Sequence, residues 1–244
     1  MTEEQVKERL VQIKSELAKL PEGHLVKRRG FYTHSIDGKG IGITKDLVMI
    51  KQLCRKKFLI ELRRYLMKAV KMFSICESIP SVNPIELIKT FSKTYQNLPI
   101  EYFYHSDLEK WIDAPFIKNT YPIESGGYKT TNGIIVRSKS ELIIANQLEA
   151  LNIPYRYDTG LKLSGKIKYP DFIIRNPFSG KLIIWEHFGA LNESGYEKAM
   201  NEKMELYLSN GFTRFNDLIY TFEFDIKSPE RLKKLINEAL LRTS

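Results

Sequence analysis

Cysteine is scarce in this chain: among 244 residues only Cys54 and Cys76 carry a thiol. Two thiols in a stretch of helical periodicity give neither a metal-ligand spacing nor a disulfide framework. Reduced core thiols and an intracellular protein are therefore expected. Histidine is as thin, and residues 24, 34, 105 and 187 are too scattered for a zinc site. No apolar run approaches the roughly 18–20 residues that a membrane span requires. The polar, acidic start Met1–Gln5 predicts no signal peptide. A cytoplasmic location without a membrane partner follows as an expectation. A Gly-rich phosphate loop is also missing, so no ATP hydrolysis is expected, and no repeat or low-complexity tract occurs.

Positive charge is in surplus. The net charge is +9 with pI near 9.3, which favours an anionic partner, most commonly nucleic acid. Residues 1–120 hold 21 Lys/Arg against 14 Asp/Glu, whereas residues 121–244 hold 17 against 15. Val6, Leu10, Ile13, Leu17 and Leu20 predict a helix over 3–19 that packs on its neighbours or forms a short coiled coil. A homodimer, or a protein partner docked through this N-terminal helix, stays open. Residues 25–44 read as one hairpin turning at Asp37-Gly38. A long helix follows over 45–79, carrying nine Lys/Arg from Lys45 to Lys71 against Asp46 and Glu61. Arg28, Arg29, Arg55, Lys56, Lys57, Arg63 and Arg64 are the candidate phosphate contacts here, with Arg137 and Lys139 further on. A solvated helix face is the competing reading. Asn83-Pro84 starts another helix, and an aromatic-rich connector runs over 95–122. The Gly/Thr-rich stretch 121–131 places a boundary between a basic helical region at 1–122 and a second domain at 123–244.

That second domain is organised by Tyr169–His187. Two runs rich in Ile and aromatics flank Asn176-Pro177-Phe178-Ser179-Gly180, the pattern of an antiparallel hairpin. Side chains alternate between faces, so Asp171 shares a face with Ile173 and Arg175, and Glu186 with Leu182 and Ile184. A carboxylate among apolar neighbours is expensive unless paired, hydrogen-bonded or bound to a cation. Each acid alone reads as a cap or an ion pair, but two on adjacent strands can converge on a divalent cation. Upstream, Ser138 and Glu141 form a capping box opening a helix, and a strand is expected over Tyr155–Leu163. Downstream come a helix over about Glu193–Ser209, a strand over Leu218–Phe222, and a last helix from Ser228 to about Arg242.

Helix with an early acid, strand, Pro170-Asp171 strand, Glu186 strand, helix: in this order residues 133–222 resemble the PD-(D/E)XK, or restriction-endonuclease-like, nucleases. Val136-Arg137-Ser138-Lys139-Ser140-Glu141 and Trp185-Glu186-His187-Phe188 look like a bacterial branch of that superfamily. The resemblance implies an α/β fold in which a restriction-endonuclease-like α/β/α core with a central mixed sheet follows a mainly helical basic region with a β-hairpin. It implies metal-dependent hydrolysis of DNA phosphodiester bonds. Asp171 and Glu186 would bind Mg²⁺ or Mn²⁺, and Glu141 a metal-bound water or a second ion. The family's lysine, two residues after the second acid, is replaced by Phe188. Lys203 on the following helix is the expected substitute, with Lys198 behind it, and His187 is expected to be structural. Two alternatives remain: a catalytically inactive nuclease-like DNA-binding protein, and a module whose basic helix binds an acidic protein.

Overall fold

The computed structural model describes residues 1–123, 126–189, 195–214 and 216–240, which form two compact units, Met1–His105 and Ser106–Leu240. The first unit opens with α1 (Glu3–Leu17), where Thr2 and Gln5 close a capping box and Val6 and Ile13 are buried. Residues 24–42 then form a three-stranded antiparallel sheet, β1 (His24–Arg28), β2 (Phe31–Ile36) and β3 (Lys39–Gly42). The single hairpin expected from the sequence is thus corrected to two. Arg29 and Gly30, with φ of 50° and 87°, make a tight turn like that at Asp37 and Gly38, and an arginine is a weak marker for such a turn. α2 (Leu47–Val70), capped by Asp46 on the Met49 N–H at 2.9 Å, buries Leu53, Phe58, Leu62 and Leu66. Short helices α3 (Pro84–Lys89) and α4 (Lys93–Gln96) follow, and Cys54 lies buried, its thiol pushed up to about 12 by desolvation.

The second unit begins at Ser106, earlier than the 122/123 boundary read from the sequence, with α5 (Asp107–Asp113). Residues 106–122 are held by their carbonyls and rings. Arg156 donates to the Trp111 carbonyl and to that of Ala114 at 2.7 Å, and its guanidinium lies 4.4 Å from the Trp111 ring. The Gly160 N–H reaches the Ile117 carbonyl at 2.8 Å.

A small hairpin, β4 (Tyr128–Lys129) with β5 (Ile135–Val136), leads into α6 (Lys139–Ala150). β6 (Tyr155–Tyr157) is followed by a separate hairpin, β7 (Leu161–Leu163) with β8 (Lys166–Lys168). The single strand expected over 155–163 is therefore corrected: Asp158, at φ 47°, turns the chain out of it. β9 (Phe172–Arg175) and β10 (Leu182–Phe188) form the antiparallel hairpin that the sequence predicts. α7 (Tyr196–Ser209), β11 (Leu218–Phe222), α8 (Glu223–Ile226) and α9 (Pro229–Leu240) complete the unit. The expected starts and stops at Glu193 and Arg242 lie outside the described residues.

The main sheet has the order β11-β10-β9-β6 and is mixed, because β10 and β11 run parallel while the other pairs are antiparallel. The protein is thus α/β. On one face α6, α8 and α9 bury Ile144, Leu148, Ile226 and Ile236 against Phe172 and Trp185. On the other, Tyr207 of α7 joins Leu163, Ile184 and Leu218. Period-two alternation along β10 creates this division, since Ile183 and Trp185 face one layer and Ile184 and Glu186 the other. Among the described residues no helix is long and apolar enough to cross a membrane.

Candidate active site

The register of the β9–β10 hairpin sets the site. Phe172 lies opposite Trp185, so one step further along the ladder Asp171 lies opposite Glu186. Directly opposed side chains on an antiparallel pair sit about 5 Å apart at Cβ, and like charges there repel. The structure answers that repulsion in two ways. Glu186, fully buried, accepts from Lys203 Nζ at 2.6 Å on Oε2 and from the Tyr207 hydroxyl on Oε1. Asp171 accepts from the His187 N–H at 2.7 Å on Oδ2. Burial, followed by the neighbouring Glu186 carboxylate to which it is hydrogen-bonded, pushes the Asp171 carboxyl up to about 7. Near neutral pH the Asp171 carboxyl therefore keeps its proton part of the time, hydrogen-bonded to Glu186. Burial alone would lower the Lys203 ammonium, but Glu186 and Asp171 outweigh it and raise it. The ammonium stays charged.

The helix spacing explains why Lys203 arrives there. Tyr196, Lys203 and Tyr207 fall on one side of α7. The Tyr196 ring meets Phe188 with centroids 6.4 Å apart, while Lys203 and Tyr207 close on Glu186. Phe188 is buried among Tyr196, Tyr220 and Phe222, so the strand position that carries a lysine in the resembled family is an apolar contact here. Lys198 instead points outward, exposed, 4.0 Å from Glu202.

Glu141 sits at the start of α6. Its Oε2 accepts from the N–H of Arg137 at 2.8 Å and of Ser138 at 3.2 Å, and from the Tyr157 hydroxyl at 2.8 Å. It serves as the capping acid, yet it also feels the pair. Burial first, and the Asp171 charge second, raise its carboxyl. The resemblance implies a cation on residues 171 and 186, with 141 close by on a metal-bound water or a second ion. The structure brings 171 and 186 together and sets 141 beside Asp171 as an electrostatic neighbour. Among the described residues no three His, Cys, Asp or Glu side chains form a group with metal-holding geometry.

Two opposed carboxyl groups make an oxygen donor pair that suits a hard divalent cation, whose remaining ligands are ordinarily waters. Asp171 and Glu186 would hold such an ion, because its charge would offset the repulsion between two opposed carboxylates.

His187 takes no part in that pair through its ring. Nδ1 lies 3.1 Å from Thr221 Oγ1 and Nε2 lies 3.1 Å from Glu223 Oε1, which also accepts from Ser140 at 2.7 Å. Trp185 Nε1 donates to the same Thr221 oxygen at 2.8 Å. These bonds tie the first turn of α6, the start of α8 and two strands together, and they fix the His187 backbone that serves Asp171. Neither this chain of bonds nor the hydroxyls of Tyr157 and Tyr207 were found by sequence reasoning. For Tyr207 a signal existed, its i+4 spacing from Lys203.

The basic candidates divide. Arg28, Arg29, Arg63 and Lys139 are exposed. Arg64 is exposed as well but bonded to Glu61, which also binds Lys57 at 2.7 Å. Lys56 is half-buried and donates to the Pro21 carbonyl at 2.7 Å. Two expectations are corrected. Arg55 is only 2% exposed, spending its guanidinium on Glu16 at 2.7 and 3.0 Å and on the Phe103 carbonyl, so no phosphate reaches it. Arg137 is bound to Asp158 at 2.7 Å and to the carbonyls of Tyr121 and Pro122 at 3.0 Å, which makes it a brace inside the second unit.

A stretch of 103 residues, 41% of the chain, is 35% identical to the uncharacterized protein MJ1519 of Methanocaldococcus jannaschii. The chain covers only 8% of that protein's length. No family model and no solved structure matches the chain.

Proposed function

We propose that this protein is a metal-dependent deoxyribonuclease whose second unit has a restriction-endonuclease-like core of the PD-(D/E)XK type. One observation carries the reading: Asp171 and Glu186 oppose each other on adjacent strands, and the Lys203 ammonium sits on Glu186 at 2.6 Å. Two acids and a lysine within one shell are what phosphodiester hydrolysis asks for. Asp171 and Glu186 would hold Mg²⁺ or Mn²⁺, with Glu141 orienting water from beside Asp171. When bound, the ion supplies a water of lowered pKa and a counter-charge for the phosphate.

The chain's own groups do the rest. Lys203 keeps its proton and offers a positive charge where a phosphate oxygen gains negative charge. Tyr207 holds the buried oxygen of Glu186, so that the other faces Lys203. His187 holds Asp171 by its N–H. The exposed cations Arg28, Arg29 and Arg63 of the first unit, with Lys139, would contact backbone phosphates.

The test is cleavage of plasmid and single-stranded DNA with Mg²⁺ or Mn²⁺. Asp171→Ala and Glu186→Ala should each lower cutting at least about a hundredfold while leaving DNA affinity nearly unchanged. Salt-dependent binding without cleavage would sink the hydrolase and leave a DNA-binding protein on a nuclease-like scaffold, the reading that Phe188 favours.

A further inference from the structure

The second unit contains a cavity of about 810 Å³ whose residues the acid pair does not use. It lies along the outer edge of β6. Its walls come from the 111–123 segment, the β4–β5 hairpin and the end of α6. Three kinds of surface meet in it. Aromatic rings are supplied by Trp111, Phe116, Tyr121, Tyr155 and Tyr157. Planar amides come from Asn132 and Asn152, while the Asn119 amide is taken by Asp158 and the Tyr121 N–H. A few aliphatic side chains fill the gaps.

This lining selects a class of ligand. The volume falls in the range of about 300–1,000 Å³ typical of small-molecule sites. A flat heteroaromatic with a polar edge fits it: rings offer stacking faces, and amides offer paired donors and acceptors to a base edge. Arg156 belongs to the wall itself: its guanidinium lies 4.4 Å from the Trp111 ring and 4.6 Å from Phe116 and donates to the Trp111 and Ala114 carbonyls, which fixes both rings in place. Tyr121, a large ring at the cavity's border, is 74% exposed.

The cavity also adjoins the candidate catalytic groups. Tyr157 lines it and gives its hydroxyl to Glu141, and Arg137 lines it and gives Glu141 its backbone N–H. A ligand here would share a wall with the acid that neighbours Asp171.

We infer that this cavity binds an unpaired nucleobase, so that the substrate of the Asp171–Glu186 site is a strand with single-stranded character rather than an intact duplex. The inference rests on the nuclease reading for its second half and on the cavity alone for its first. A base inside a duplex keeps its faces stacked on its neighbours and cannot offer them to Tyr121. An unpaired base can.

The experiment measures binding and cutting separately. Fluorescence anisotropy of a labelled oligothymidine, and of an intact duplex of equal length, is recorded with EDTA present so that no cleavage occurs. Tyr121→Ala and Asn152→Ala should each weaken oligothymidine binding about tenfold, while Tyr121→Trp retains it and duplex binding changes less than twofold. Equal binding of single strand and duplex by the unaltered protein overturns the inference. So does unchanged oligothymidine affinity in Tyr121→Ala, or failure of Tyr121→Trp to retain it. Base binding with no Mg²⁺-dependent cutting would remove the nuclease and keep the cavity; cutting of duplex with no effect of Tyr121→Ala would do the reverse.

Discussion

Asp171 and Lys203 carry opposite burdens at the same site, and each makes a measurable prediction. The Asp171 carboxyl is raised from its usual value near 3.8 to about 7. The folded chain therefore keeps a proton that the unfolded chain has released, and stability falls as pH rises between about 4 and 7. Above that window the penalty is complete. Asp171→Asn should accordingly raise thermal stability at pH 8, by up to about 4 kcal/mol at 1.36 kcal/mol per pH unit, and the gain should shrink toward zero near pH 4. A melting series of both proteins against pH checks this. A gain independent of pH would mean that the carboxyl is not protonated near neutrality. Lys203→Met should do the opposite and cost about 1–3 kcal/mol, because it strips a charged partner from a buried carboxylate while Lys203 itself is a third exposed. Adding Glu186→Gln should recover much of the loss, which a double-mutant cycle reads directly.

At the scale of elements, what could be read from the chain depended on how local its cause was. The capping box at Ser138 and Glu141, the β9–β10 hairpin and the helix carrying Lys203 all follow from spacing within a few residues, and all are present. Removing the cap by Ser138→Ala should cost about 1 kcal/mol, seen as a lower denaturation midpoint. Less local features escaped. The turn at Arg29-Gly30 depends on two positive φ values that an arginine does not advertise. The hairpin of β7 and β8 depends on a chain reversal at Asp158. Arg55 has a sequence setting like that of its basic neighbours, yet Glu16, 39 residues earlier, draws it into the interior. Tyr157 finds Glu141 across a sheet edge, and no pattern along the chain brings them together.

Across the whole molecule the charge is more sharply partitioned than its two halves suggest. Residues 1–105 hold nineteen Lys/Arg against eleven Asp/Glu, while residues 106–240 hold eighteen of each. By sequence, residues 1–105 thus carry +8 of the chain's net +9, and residues 106–240, which hold the acid pair, net to zero. Binding strength and chemistry should separate accordingly. Arg28→Glu with Arg63→Glu should weaken the proposed DNA binding and flatten its dependence on salt, by about one unit of slope for each phosphate left without its cation. The pH-dependent stability assigned to Asp171 should not move. Salt titrations beside the melting series test both statements, and a shift in the Asp171 profile would refute the separation. The cation of the acid pair comes from a helix and not from the strand that carries Glu186. During folding, then, zipping the strands is not enough to make the site competent. Until α7 settles on the sheet, Asp171 and Glu186 confront each other with no counter-ion of their own. Any activity should lag behind the recovery of strand structure and keep pace with the docking of that one helix.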